Sequence, residues 1–133
     1  MTQPATLFVC ALCKFPQPPQ PQSATTGGQH LIDQLADCLE PDQNQIVIQP
    51  VRCMAACDRA CNAALSAPGK LTFIFNGLSP QAAAPDLAEF CRQYAEATGG
   101  KVPYGLRSQS IKQATAYVLP PPMAGAVAAA IAR

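Results

Sequence analysis

The chain has 133 residues, enough for one domain with a real hydrophobic core. Nine Lys and Arg against eight Asp and Glu leave a formal charge of +1; no basic stripe forms, which excludes nucleic-acid binding through phosphate contacts. No stretch approaches the ~20 apolar residues of a membrane-crossing helix, and MTQPATLFVC lacks a basic region leading into an apolar run, so a cytoplasmic protein with no membrane partner is expected.

Residues 6–10, TLFVC, read as a short strand ending at Cys10. PQPPQPQSATTGG (16–28) follows. Its prolines remove backbone donors and favour extended backbone, so a solvated loop over 14–28 is expected. GQHLIDQLADCLE (28–40) puts Leu31, Leu35, Cys38 and Leu39 on one helical face, which makes Cys38 a core thiol and leaves His30 near the helix start as a surface group. QIVIQPVR (45–52) is the second strand, and its Pro50 marks an edge or a bulge.

VRCMAACDRAC then supplies Cys53, Cys57 and Cys61. In NAALSAPGKLTFIFNG (62–77), Pro68-Gly69 is turn chemistry between two extended runs, with Leu71, Phe73 and Phe75 alternating with Thr72, Ile74 and Asn76. This hairpin would present Phe73 and Phe75 at a sheet edge, which predicts a homodimer that covers them. PQAAAPDLAEFCRQYAEA (80–97) is the second helix, its stripe formed by Leu87, Phe90, Cys91 and Tyr94. TAYVLPPP (115–122) reads as an added strand stopped by prolines, and 123–132 as a small Ala-rich helix; no element is assigned between residues 98 and 114.

The order strand, helix, strand, cysteine loop, hairpin, helix predicts an α/β fold. A parallel strand pair is joined by a right-handed helical crossover, and the hairpin extends the sheet antiparallel. This βαβ-ββα order is the thioredoxin-like arrangement with a mixed sheet and a C-terminal extension. It forms one domain over residues 1–122, with loop 14–28 inserted and a tail at 123–133.

That topology brings five thiols together. Cys10 ends the first strand and Cys53 follows the second, and parallel strands end on the same edge of a sheet. The adjoining loops carry Cys13, Cys57 and Cys61. Seven cysteines in a reducing compartment argue against a disulfide scaffold, and loop thiols flanked by Arg52, Asp58 and Arg59 do not read as core fillers. Thiolates holding a [2Fe–2S] cluster tolerate such spacing. Structural zinc prefers two short knuckles, which Cys10-x2-Cys13 fits and Cys53-x3-Cys57 fits less well. A redox dithiol at Cys10 and Cys13 should open a helix directly, and the proline-rich stretch intervenes. Cys10, Cys53 and Cys57 are the firmest ligands; Cys13 and Cys61 compete for the fourth place, with Cys13 favoured.

A cysteine ending strand one, Cys53-Met-Ala-Ala-Cys57-Asp-Arg after strand two and a Pro-Gly hairpin resemble the thioredoxin-like [2Fe–2S] ferredoxins, although their first two ligands lie further apart. Over most of residues 7–120 the chain is also similar to a bacterial family of small predicted metal-binding proteins of unknown function. That family shows an early C-x2-C, a C-Leu/Met-x2-C-D-R-x-C segment, a PGK hairpin and a Pro-Pro ending. Here Ala55 stands where Gly is common, and AYVLPP replaces an Arg-containing ending. The resemblance implies ferredoxin-like ligation by Cys10, Cys13, Cys53 and Cys57, with Cys61 as a fifth thiol, and again a homodimer.

One His, no phosphate loop and no paired carboxylates accompany the cysteines, so the expectation is an electron carrier, not an enzyme, that serves a redox partner protein. The alternative is a carrier that hands its cluster to an acceptor protein. In that reading Cys61 is an exchange ligand on a solvent-exposed turn with Cys57. Structural zinc in an interaction module is the third reading.

Overall fold

The computed structural model describes residues 4–11, 27–42, 44–52, 61–80 and 82–121. Five strands form one mixed sheet: β1 (Ala5–Cys10), β2 (Ile46–Val51), β3 (Ala63–Ser66), β4 (Thr72–Phe75) and β5 (Thr115–Leu119), in the order β2-β1-β3-β4-β5. β1 pairs parallel with β2, Cys10 opposite Val51, and antiparallel with β3, Val9 opposite Ala63. The crossover from β1 to β2 contains α1 (Gly27–Cys38), and α2 (Ala83–Glu96) follows the β3–β4 hairpin. The expected βαβ-ββα order is therefore the one adopted.

The hairpin closes through the Pro68-Gly69 pair. Gly69 takes φ +73°, and the Lys70 N–H donates to the Ala67 carbonyl at 3.1 Å; this turn requires a residue free to adopt positive φ at its third position. Pro50 is accommodated because β2 is an edge strand.

Alternation along the strands sorts residues to two faces. Leu7, Val9, Leu65, Phe73 and Phe75 are buried on the face covered by both helices. Leu31 and Leu35 descend from α1 and Leu39 from the turn after it, and Leu87, Phe90, Cys91 and Tyr94 from α2, as their spacing predicts. The centre of the core is aromatic: Phe90 meets Phe73 edge-on at 4.9 Å and Phe75 at 5.8 Å, the geometry favoured by ring quadrupoles. Tyr94 sends its hydroxyl to the Leu71 carbonyl at 2.6 Å. Lys70 then donates to the last carbonyls of α2, at Tyr94 and Ala95, where a cation also meets the negative end of the helix dipole. Arg92 joins the two helices through the Asp42 carboxylate at 2.8 Å and the Cys38 carbonyl at 2.6 Å.

Several expectations are corrected. Gly27, expected in the loop, opens α1, and Gly28 lies in the helix as its reading over 28–40 predicts; the remainder of the proline-rich stretch, residues 14–26, lies outside the described residues, as does the tail 123–133. The β3–β4 hairpin is not a sheet edge. β5 pairs with β4, and Phe73 and Phe75 are fully buried beneath α2, so the reason given for a dimer does not hold. A short helix, α3 (Gln109–Ala114), fills the unassigned stretch. Its signal was present in the sequence: Ser108 accepts the Ile111 N–H at its N-terminus, a capping pattern that propensity alone does not reveal in so short a segment. Among the described residues no helix is long and apolar enough to cross a membrane.

Truncating Phe73 to Ala removes the ring that α2 packs against and is expected to cost about 3–5 kcal/mol. Leu106→Ala, at a side chain 64% exposed, should stay within about 0.5 kcal/mol. Urea denaturation followed by circular dichroism measures both.

Candidate metal centre

Three stretches of backbone meet where β1 ends. The Cys10 N–H donates to the Asn62 carbonyl at 3.1 Å, and the next residue, Ala11, donates to the Val51 carbonyl at 2.7 Å. The end of β1 is thus fastened on one side to the segment entering β3 and on the other to the last residue of β2. The Cys10 thiol lies against the Arg52 carbonyl, 3.8 Å away. Cys10 shares the strand parity of half-buried Thr6 and Phe8, yet it is only 1% exposed.

Cys61 sits beside it, held from the opposite direction. Its N–H donates to the Leu78 carbonyl at 3.2 Å and its carbonyl accepts the Leu78 N–H at 3.0 Å. This two-bond bridge joins the segment before β3 to the segment before α2. The Cys61 side chain is fully buried. Burial, reinforced by the neighbouring Cys10 sulfur, pushes its thiol up to about 11, since a second negative charge in a poorly solvated site is unfavourable. A bound cation would reverse that preference by favouring thiolates at the same place.

The start of α1 closes against this edge. A Cβ on Gly28 would overlap the Cys10 carbonyl oxygen and crowd the Ala11 backbone, so only glycine lets the helix approach so near. The first turn of α1 carries no acidic residue. The positive end of its helix dipole therefore lies beside the end of β1, which suits thiolates.

Of the five sequence-predicted ligands, Cys10 and Cys61 are brought together, while Cys13, Cys53 and Cys57 lie outside the described residues. Among the described residues no group of three or more metal-ligating side chains occurs. The two described donors are soft sulfurs at one edge, the chemistry that a thiolate-bound centre takes. Chain continuity adds that Cys53 is the residue after Arg52, and Cys13 the second after Ala11. Cys38 is half-buried on α1 and Cys91 fully buried on α2, both against the core as expected; burial pushes the Cys91 thiol up to about 12. The expected exposed position of Cys61 is corrected, because its backbone is tied to Leu78 and its sulfur is inside.

Residue-type reasoning also missed the positions that build the edge. Leu78 and Asn62 act through their backbone, and Asn62 is the buried polar side chain among the described residues. Gly28 was read as flexibility, whereas its function is close approach.

Three outcomes follow. Gly28→Ala forces α1 away from Cys10 and is expected to cost about 1–3 kcal/mol, read from the urea midpoint. In metal-free folded protein at pH 8, Cys61 and Cys91 should resist alkylation until the chain unfolds, as mapped by peptide mass spectrometry. The raised Cys61 pKa also has a linkage sign. Below the free-thiol value of 9.0 both states hold the proton; between 9.0 and about 11 the unfolded thiol releases it first, so stability falls as pH rises. The wild-type minus Cys61→Ala difference in urea midpoint isolates that decline.

Comparison with known proteins places this geometry. Two solved structures share the fold, both of a thioredoxin-like [2Fe–2S] ferredoxin from Aquifex aeolicus. The first has a TM-score of 0.55 at 18% identity, covering 91% of this chain and 98% of the other. The second, described as the wild-type ferredoxin, has a TM-score of 0.52 at 16% identity, covering 86% and 98%. At such identity the likeness is one of fold. Among curated proteins, none matches the sequence. A family model described as "Protein of unknown function (DUF1636)" matches residues 7–121, a range that runs from within β1 to beyond β5 and includes Cys10, Cys13, Cys53, Cys57 and Cys61. The chain is a member of the DUF1636 family, built on a thioredoxin-like fold.

Proposed function

We propose that the protein is a ferredoxin-like electron carrier whose [2Fe–2S] cluster is bound by cysteine thiolates at the carboxyl edge of the sheet. One observation carries the reading: Cys10 and Cys61, 51 residues apart in sequence, meet at the edge from which the chain departs toward Cys13 and Cys53. The fold shared with [2Fe–2S] ferredoxins supports it.

Cys10, Cys13, Cys53 and Cys57 would hold the cluster, and a cluster so held passes one electron at a time. The chain's own contribution is rigidity and electrostatics. β1 and its two hydrogen-bonded neighbours fix Cys10, and the N-terminus of α1 offsets the negative charge of the thiolates. Cys61 lines the inner side, where burial lowers the local polarity and so tunes the potential. A redox partner protein exchanges electrons with the site, and no substrate is converted, so the protein is not an enzyme. The burial of Cys61 favours this role over a carrier that passes its cluster outward through a mobile fifth thiol. The thiols that the reading requires are those of a reduced, cytoplasmic setting.

Purified protein should be brown-red, with iron and acid-labile sulfide in equal amounts. Cys10→Ser and Cys53→Ser should each bleach it, Cys91→Ser and Cys61→Ala should keep the visible spectrum, and Cys61→Ala should move the reduction potential. A colourless protein holding stoichiometric zinc, or full colour in the Cys53→Ser variant, would sink the assignment.

A further inference from the structure

The segment between α2 and β5 presents side chains that the core does not use. Val102 and Ile111, both buried, anchor its two ends. Between them a short 3-10 turn, Tyr104–Leu106, leaves its two large side chains in solvent, each 64% exposed. The turn is held firmly: the Leu106 carbonyl accepts the Gln93 side-chain amide of α2 at 3.1 Å, and Arg107 donates through Nε and Nη2 to the Val102 carbonyl at 3.2 and 2.9 Å. Cations also brace the exposed ring. The Arg107 guanidinium lies between two aromatics, 5.1 Å from the Phe73 centroid and 5.4 Å from that of Tyr104, and the Lys112 ammonium lies 4.6 Å from Tyr104. An exposed aromatic already fixed in place loses little freedom on contact, which is how the anchor of an interface is built.

The charge around this anchor has one sign. Residues 97–121 carry Lys101, Arg107 and Lys112 and no Asp or Glu. Among the described residues ion pairs are confined to Arg92, so Lys101 and Lys112 meet no carboxylate there. Asp86, on the α2 side, accepts the Ser110 hydroxyl instead. A cation over an exposed ring contributes about 0.5–1 kcal/mol, which accounts for the position of Lys112 and leaves its charge uncompensated. Three cations are too few to follow a nucleic-acid backbone. Grouped about an exposed Tyr and Leu, they have the composition of a protein contact that takes an acidic surface.

The patch also lies at the functional end of the sheet. The last carbonyl of α3, at Ala114, accepts the Asn76 N–H at 2.9 Å, and Asn76 follows Phe75, which shares a row with Ala63 and Val9. Cys10 is the next residue along β1. Three strand spacings separate β1 from β5, roughly 14 Å. We propose, resting on the electron-carrier reading, that Tyr104, Leu106 and Lys112, with Lys101 at the margin, form the docking surface for an acidic redox partner protein. Carboxylates of the partner meet the lysines, and Tyr104 and Leu106 supply the apolar contact. Such a surface is small and led by charge, the form of a transient electron-transfer encounter.

Titration calorimetry of the full chain tests this with two probes: flavodoxin, an acidic one-electron flavoprotein, and cytochrome c, a basic haem protein. Flavodoxin should bind, more weakly as salt rises, and cytochrome c should not. Lys112→Gln should weaken binding about threefold, as loss of one exposed charge pair does, and the double variant Lys101→Glu, Lys112→Glu about tenfold or more. Leu106→Ala should weaken it without lowering stability. Gln34→Glu changes net charge as Lys112→Gln does but sits on α1, and should bind like wild type. Circular dichroism melts confirm that each variant folds. In coloured samples reduced with dithionite, one electron passes from the cluster to oxidised flavodoxin, which takes a proton from water to become the neutral semiquinone. The second-order rate of that step should fall across the variants in the same order as affinity. No binding of flavodoxin, equal binding of both probes, or unchanged binding by the double variant overturns the surface. Binding to phosphatidylglycerol vesicles but not to flavodoxin assigns the patch to a lipid headgroup and overturns the protein partner. Lysine-dependent binding by a colourless preparation would count against the cluster and leave the docking surface standing. A coloured protein whose electron transfer ignores the variants overturns the surface and leaves the cluster.

Discussion

The hydrogen bonds at the end of β1 are the constraint on which the rest of this structure depends. Cys10 donates to Asn62 and Ala11 donates to Val51, so a single strand end is tied to both of its neighbours within two residues. Parallel pairing with β2 sends the chain past Arg52 at the same edge. Antiparallel pairing with β3 makes the chain enter that edge again at Cys61. If the strand end slipped by one residue, side chains would exchange faces, and the thiols would no longer converge.

The core maintains that register. Phe73, Phe75 and Phe90 interlock through edge-to-face contacts, and Lys70, Tyr94 and Arg92 tie the hairpin and the two helices to each other by hydrogen bonds. These contacts fill the helix-covered face of the sheet, with Phe75 reaching the row of Val9 and Ala63 next to the cysteine edge, while backbone bridges and a glycine approach build the edge itself. Aromatic packing therefore belongs to the buried face, and the placement of Cys10 and Cys61 to backbone pairing at the strand ends. Cys91 illustrates the separation: as a thiol deep in the aromatic core it is inert, held neutral by burial.

At the edge, Cys61 differs in kind from a ligand supplied by a free loop. Two hydrogen bonds to Leu78 anchor its backbone, and its sulfur faces inward beside Cys10. The same bridge connects the segment before β3 to the entrance of α2.

The sequence by itself determined much of the fold. Period-two and period-3.6 patterns located β1, α1, β2, the hairpin and α2 to within a few residues, and Pro68-Gly69 fixed the turn, because burial on one face of an element writes directly into the order of apolar residues. It also separated the two core cysteines, Cys38 and Cys91, from Cys10 and Cys61, which meet where β1 ends. The pairing of the last strand was not legible. That β5 covers β4, and so removes the hairpin from the edge, depends on contacts between residues some 40 positions apart that leave no local period. The depth of Cys61 was misread for the same reason: Asp58 and Arg59 nearby suggest solvent, whereas the Leu78 bridge that buries Cys61 is a backbone interaction with no side-chain signature. Gly28 looked like slack in a flexible loop, and only the packing of α1 against the Cys10 carbonyl shows that the absent side chain is what lets the helix close the site. Local pattern specified the elements; the tertiary structure alone decided how deep Cys61 lies and that β5 closes the hairpin edge, because both follow from long-range backbone pairing.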